Sequence, residues 1–247
     1  MTRWGMVVDV DRCTGCQACV VACQVENNIV INTEEIYLQK RAMTWIRIER
    51  YWDMPEHEGT EEEQRQYQEQ HYDEVKARYL PVLCQHCANA PCEPVCPVYA
   101  TYHNAEGLNV QIFNRCVGTR YCAANCPYHV RFFNYWEARW PESLRNSLNP
   151  DVTIRTKGIM EKCTFCVQRI RQVELKAKRE GRSVVDGELQ PACAQTCPTS
   201  TLVFGDLEDP NSRASQLAKN PRHYTLLEEL GTEPGVVYLK KAEASVS

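Results

Sequence analysis

The segment Asn114-Arg115-Cys116-Val117-Gly118-Thr119-Arg120-Tyr121-Cys122-Ala123-Ala124-Asn125-Cys126 repeats Asp11-Arg12-Cys13-Thr14-Gly15-Cys16-Gln17-Ala18-Cys19-Val20-Val21-Ala22-Cys23 with one cysteine missing. Thr119 stands where Cys16 stands. Two further groups extend the pattern: Cys84, Cys87, Cys92 and Cys96, and the split set Cys163, Cys166, Cys193 and Cys197. The spacings would make sixteen ligands, and the threonine leaves fifteen. A site with three thiolates holds different inorganic chemistry from a site with four.

A chain of 247 residues suits one large domain or two fused small ones. Its 28 basic and 32 acidic residues nearly balance, and no basic tract argues for nucleic acid. The 43% hydrophobic content includes the cysteines, so the ordinary apolar core is smaller than that figure and inorganic cross-links are expected to supply part of the stability. Disulfides fit poorly: the count is odd, most spacings are too short for strain-free pairing, and the opening Met1-Thr2-Arg3-Trp4-Gly5-Met6-Val7-Val8-Asp9-Val10 leaves no room for a leader before the first group. No run of about eighteen apolar residues exists, so membrane association is expected only through a partner.

The run C-x2-C-x2-C-x3-C-P is the pattern in which three cysteines grip one iron-sulfur cluster and the fourth reaches another. Such groups work in pairs, so four groups predict four clusters. Proline follows Cys96, Cys126 and Cys197, where it stops the chain from wrapping further; Gln24 follows Cys23 instead. Zinc is the rival, because paired C-x2-C units also build zinc sites, but zinc has no use for the third cysteine of each run. His86, His103 and His129 lie near the groups and are expected to be hydrogen-bonded structural residues rather than ligands. The chain carries no P-loop, dinucleotide fingerprint or nucleophile elbow.

Between the groups, Met6 to Val10 reads as a strand and Val20-Val21-Ala22 as helix. Residues 24–78 form a cysteine-free insertion in which Trp45 to Tyr51 alternates as a half-buried strand. Asp53 to Glu74 reads as a mobile or helical solvated excursion, with a docking surface as the sharper alternative. Glu106-Gly107 is a turn between short strands, with Val110 and Ile112 on one face. The aromatics of Tyr128 to Trp140 pack a core. Gln168 to Glu180 is a helix ending at Gly181, its bases Arg169, Arg171, Lys176, Lys178 and Arg179 on a solvated face. Thr201 to Phe204 is a strand, followed by a polar tail that is helical near His223 to Leu230.

The order of the groups, with Cys163-Thr164-Phe165-Cys166 split from Cys193-Ala194-Gln195-Thr196-Cys197-Pro198, resembles the four-cluster electron-transfer subunits of the molybdopterin oxidoreductases, such as dimethyl sulfoxide, polysulfide, tetrathionate and arsenate reductases. The likeness spans nearly the whole chain. Cys116-Val117-Gly118-Thr119-Arg120-Tyr121-Cys122 is most similar to the iron-sulfur part of the alternative complex III quinol oxidoreductases. The resemblance implies an α+β fold of two ferredoxin-like modules related by pseudo-twofold symmetry, with loop-rich insertions. Residues 1–23 with 150–205 would form the first module and 79–149 the second, with 24–78 inserted and 206–247 a C-terminal extension.

Carried over by motif position, Cys13, Cys16, Cys19 and Cys197 would hold one 4Fe-4S cluster and Cys23, Cys163, Cys166 and Cys193 a second. Cys84, Cys87, Cys92 and Cys126 would hold a third. Cys96, Cys116 and Cys122 remain, with Thr119 at the missing position. A threonine hydroxyl is a poor iron ligand beside a thiolate, so a 3Fe-4S cluster is expected there, and a four-iron cluster with water or hydroxide on one iron is the alternative. The resemblance makes the chain a non-catalytic electron carrier in a quinone-linked respiratory or photosynthetic complex. Its partners would be an integral-membrane quinone-binding subunit and a large molybdopterin-type subunit, active or vestigial, with multihaem cytochrome c as a further candidate. The rival functions are a free-standing polyferredoxin, a zinc-binding interaction module, and a catalytic protein using an open iron beside Thr119.

Overall fold

The computed structural model describes residues 2–242. β1 (Trp4–Asp9) leads through one 3-10 turn at Val10–Arg12 into α1 (Ala18–Glu26). The cysteine-free segment then holds α2 (Glu34–Leu38), β2 (Ile46–Asp53), α3 (Glu61–Gln70) and β3 (Lys76–Leu83). β2 and β3 pair antiparallel from Ile46 with Leu83 to Asp53 with Lys76, so the insertion is a hairpin arm. Its base is buried at Trp45, Ile46, Val82 and Leu83, while Tyr51 and Trp52 at its outer end are exposed. α3 starts at a capping box in which Thr60 and Glu63 satisfy each other's backbone N–H, and its side chains stay out of the core, so the solvated excursion is largely helical. β3 crosses the expected boundary at residue 79 and hands the chain directly to Cys84.

β4 (Thr101–His103) and β5 (Asn109–Gln111) form the expected hairpin around Gly107, whose φ of 76° lies in the left-handed region. The inward face of this hairpin is polar. Asn109 and Gln111 point inward and Val110 and Ile112 are half-buried. The cause is Arg131, which lies buried behind the hairpin and takes the side chains of Gln111, Thr101 and Asn109 as acceptors. A buried guanidinium must find acceptors, and that need outranks apolar alternation here.

The chain continues through α4 (Tyr121–Ala124), β6 (Phe132–Phe133), β7 (Met160–Glu161), α5 (Val167–Arg179) and α6 (Ala192–Thr196), with β6 and β7 paired antiparallel. α5 is the expected helix, and Gly181 follows it in the left-handed conformation at φ 66°. Its basic residues are more engaged than a plain solvated face: Arg169 meets Glu26 at 2.6 Å and Arg171 meets Glu106 at 2.7 Å.

The C-terminal part departs most from expectation. β8 (Leu202–Asp206) is followed by α7 (Arg213–Ala218), β9 (His223–Tyr224) and β10 (Val236–Leu239). One sheet runs β8-β1-β10-β9, with β1 antiparallel to β8 and parallel to β10. The helix expected over His223 to Leu230 is a short strand and a single 3-10 turn, because Leu227 at φ 51° and Gly231 at φ 59° break helical geometry on both sides. Nor is this stretch a polar tail. Val236, Tyr238 and Leu239 are fully buried, and the Tyr238 hydroxyl donates to the Pro81 carbonyl at 3.0 Å while accepting from Gln85 Nε2 at 3.1 Å. No helix among the described residues is long and apolar enough to cross a membrane.

Candidate metal centres

The internal repeat is a repeat of backbone shape. A 3-10 turn closes before each first cysteine, with the Cys13 N–H on the Val10 carbonyl at 3.2 Å and the Cys116 N–H on the Phe113 carbonyl at 3.1 Å. Gly15 and Gly118 follow at φ 71° and 70°, then Gln17 and Arg120 at φ 61° and 65°, each immediately before its helix. Side chains are excluded at both glycines by close neighbours, the Tyr79 ring at Gly15 and the Gly158 carbonyl at Gly118. Cys16 and Thr119 therefore occupy equivalent places, and both are exposed.

Proline sets where each loop ends. Pro127 follows Cys126, and α4 stops after one turn at Ala124. Gln24 imposes no such stop, so α1 runs through Cys23 to Glu26 and brings Asn27 back onto sulfur, its Nδ2 3.6 Å from Cys23 Sγ and 3.7 Å from Cys166 Sγ. The three Cys-Pro turns share one conformation. Tyr99, His129 and Ser200 each adopt positive φ, near 50°, and each returns its N–H to the carbonyl of the cysteine three residues back. The next residue then faces the sulfur: Ala100 N–H meets Cys96 Sγ at 3.2 Å and Thr201 N–H meets Cys197 Sγ at 3.3 Å. Non-glycine residues at positive φ are costly, and here the return to sulfur accompanies each one.

The fold gathers the thiols in sets. Burial, then Cys197, Cys13 and Cys16, push Cys19 up to about 12. Burial, then Cys163, Cys166 and Cys193, hold Cys23 well above its ordinary value. Burial and Cys84, with smaller contributions from Cys92 and Cys126, push Cys87 up to about 12 against a hydrogen bond from Thr232. Cys122 is raised by burial, with Arg131 opposing and Cys92 and Cys116 adding to the rise. Partial burial raises Cys197 too, but hydrogen bonds from Thr199 and Thr201 outweigh it and leave that thiol below its ordinary value. Crowded thiols of this kind give up their protons to a cation, so the sets are suited to bind metal.

Cys13, Cys16, Cys19 and Cys197 line a small cavity walled by Ile48, Pro81 and Pro198. Cys84, Cys87, Cys92 and Cys126 line another, with Arg131 in its wall. Among the described residues, no three cysteine, histidine, aspartate or glutamate side chains close on a single metal ion, as zinc with bonds of roughly 2.3 Å to sulfur requires. Thiols spread around a cavity fit an inorganic cluster. Cys116 Sγ takes the Met160 N–H at 3.3 Å and its charge bears on Cys122, and Cys96 Sγ takes the Ala100 N–H at 3.2 Å within its own turn.

The sets also influence one another through charge. Cys19 acts on Cys193, Cys84 is the largest influence on Cys163 after burial, and Cys92 acts on Cys122. The histidines have other roles: His86 accepts the Asn109 N–H at 3.1 Å and stacks on Phe165 at 3.9 Å, His103 pairs with Glu93 at 2.6 Å, and His129 forms its turn. Residues that spacing did not single out are Asn27, Arg131 and Lys162, all buried beside thiols. Only Lys162 carries a sequence signal, since it immediately precedes Cys163.

Two family models match the chain, a 4Fe-4S binding domain over residues 4–25 and a 4Fe-4S dicluster domain over residues 75–141. The chain is 41% identical to the menaquinone reductase iron-sulfur cluster-binding subunit of Nitratidesulfovibrio vulgaris, over 98% of its own length and 90% of that protein. It is 36% identical to the Hdr-like menaquinol oxidoreductase iron-sulfur subunit 1 of Archaeoglobus fulgidus, covering 96% and 83% of the two chains. With the putative dimethyl sulfoxide reductase iron-sulfur subunit of Halobacterium salinarum it shares 35% identity, covering 97% and 79%. Likeness over whole chains, joined to cysteine loops of the shape described, shows that the chain belongs to the family of iron-sulfur electron-transfer subunits of molybdopterin-type, quinone- or quinol-linked oxidoreductases.

Proposed function

We propose that the fifteen cysteines hold four clusters in a row, forming a wire between a quinone site on a membrane partner and a second redox centre. Cys13, Cys16, Cys19 and Cys197 hold the first 4Fe-4S cluster. Cys23, Cys163, Cys166 and Cys193 hold the second, and Cys84, Cys87, Cys92 and Cys126 the third. Cys96, Cys116 and Cys122 hold a 3Fe-4S cluster whose missing ligand is Thr119. The observation that supports this order is the series of electrostatic influences between thiols of neighbouring sets, Cys19 on Cys193, Cys84 on Cys163 and Cys92 on Cys122.

The clusters supply one-electron chemistry, and the chain's own residues fix their spacing and surroundings. A pseudo-twofold pair of modules, 1–23 with 150–205 and 79–149, accounts for the repeated loops. A large molybdopterin-type subunit would sit against the first module and an integral-membrane quinone-binding subunit against the second, with multihaem cytochrome c as a further candidate. Relatives are named both as a menaquinone reductase and as a menaquinol oxidoreductase, so potentials and not family set the direction. The potential follows cluster type, and a three-iron cluster that is easier to reduce than its four-iron neighbours suits accepting electrons from quinol.

EPR of the air-oxidised protein tests the assignment. An oxidised three-iron signal is expected, and its absence would sink the three-iron site. Redox titration placing that cluster lowest of the four would reverse the proposed direction.

A further inference from the structure

Two cations lie in the interior without a carboxylate. Arg131 is 6% exposed, and its guanidinium donates to Gln111 Oε1 at 2.9 Å, Thr101 Oγ1 at 2.6 Å and Asn109 Oδ1 at 2.7 Å, all neutral groups. Lys162 is fully buried; its Nζ donates to the Cys163 carbonyl at 2.8 Å and stands 3.6 Å from Cys84 Sγ. Among the described residues neither forms an ion pair with an acid. Glu161, next to Lys162 in sequence, is taken by Arg155, and Glu93 is held by His103 and the Asn109 amide.

A buried charge persists only with a counter-charge, and the groups that remain are thiols. Both cations address the same set. Arg131 lines the same cavity as Cys84, Cys87, Cys92 and Cys126, and its charge also bears on Cys122. Lys162 acts on Cys92 and Cys163 and touches Cys84, so it stands at the join with the second set. The first set differs: the largest influences on Cys13, Cys19 and Cys197 are burial, neighbouring thiols and hydrogen bonds. Arg169 acts on the second set, but it is paired with Glu26.

We propose that Arg131 and Lys162 are potential-setting positioning residues for the cluster held by Cys84, Cys87, Cys92 and Cys126. Arg131, in the lining of its cavity, and Lys162, with Nζ 3.6 Å from Cys84 Sγ, are its counter-charges and raise its reduction potential relative to the cluster of Cys13, Cys16, Cys19 and Cys197. This rests on the ligand sets proposed above. Reduction adds one electron to the cluster and requires no proton, so the reduced form carries one more negative charge. Fixed positive charge in a low-dielectric interior favours that form. The third cluster thereby becomes a favourable stop between its neighbours.

The test is an EPR-monitored redox titration of the full-length, cluster-loaded protein, with dithionite as reductant. It compares wild type with Arg131→Gln, Arg131→Lys and Lys162→Gln, and identifies the third cluster by the signal that changes in Cys87→Ser. Each charge-removing variant is expected to weaken reduction of that cluster about tenfold, equivalent to ~59 mV for one electron. Arg131→Lys should stay near wild type and the first cluster should not move. Unchanged potentials in both charge-removing variants, or an equal shift of all clusters, would overturn the proposal. If Arg131→Gln loses iron, Lys162→Gln decides; loss of iron in both would mark the residues as structural and also overturn it. A Cys87→Ser protein with every wild-type signal intact would instead overturn the ligand assignment.

Discussion

Arg155 Nη2 lies 3.1 Å from Glu161 Oε2, and both side chains are 1% exposed. The same guanidinium donates to the Asn28 and Thr153 carbonyls and stands 5.0 Å from the Trp45 ring centroid. The pair thus ties the segment after α1 and the base of the hairpin arm to the strand that precedes Cys163. Removing one partner leaves an uncompensated buried charge, a loss of about 3–5 kcal/mol. Arg155→Met should therefore bleach its clusters sooner on anaerobic heating. Arg155→Met with Glu161→Leu should recover much of the loss, because the orphaned carboxylate is gone; a double variant no better than the single would show the pair is not the cause.

Thr119→Cys restores the residue that the first loop has at Cys16, in the same backbone conformation. The expected product is a four-iron cluster: the oxidised three-iron EPR signal disappears and the potential of that site falls with the change of cluster type. Thr119→Ser should keep the three-iron signal.

Asn27 Nδ2 faces two sulfurs of one set. Hydrogen bonds to cluster sulfur stabilise the reduced form, so Asn27→Leu should lower the potential of the cluster at Cys23, Cys163, Cys166 and Cys193 by the equivalent of about 1 kcal/mol. A redox titration with each cluster resolved measures this, and a shift confined to another cluster would contradict the ligand set.

Metal removal has a pH signature. Burial and neighbouring thiols push Cys19 and Cys87 up to about 12 in the folded chain, above the ordinary thiol value of about 9. A raised folded value favours the protonated thiol, so its contribution to the metal-free fold is complete below about pH 9 and is lost as pH rises toward 12. Iron must displace those protons, so cluster reconstitution should improve as pH rises from neutral while the metal-free protein loses structure. Iron content and circular dichroism across that window measure the two trends.

Tyr238 bridges the Pro81 carbonyl and Gln85 from a fully buried position. Tyr238→Phe leaves both without that partner and should cost about 1–3 kcal/mol, seen as a lower thermal midpoint with cluster content unchanged at low temperature.

The cysteine loops were legible because their chemistry is local: x2 and x3 spacings, a glycine at the turn and a proline at the exit dictate the backbone within a dozen residues. Strand β2 was legible for a similar reason, its alternation from Trp45 to Tyr51. What escaped was set by distant partners. Val236 to Leu239 has a strand composition, but the edge it pairs with is β1, at the other end of the chain, and no local pattern points there. The inward turn of Asn109 and Gln111 followed from Arg131, an arginine whose aromatic surroundings gave no sign that it would be buried. The repeated positive φ at Tyr99, His129 and Ser200 had no glycine to announce it.

The sheet order β8-β1-β10-β9 bears on how the protein is made. β1 acquires both neighbours only from the C-terminal part of the chain, and the Arg3 N–H bonds Asp206 across 203 positions of sequence. A growing polypeptide emerges with Cys13, Cys16 and Cys19 long before Cys197 exists, whereas Cys84 to Cys126 leave the ribosome within one short stretch. The proposed third site is thus able to close early in translation, while the first must wait for the last of its four ligands. Until then its three early thiols stand open, and whatever delivers iron and sulfide has to reach a chain already grown past Cys197.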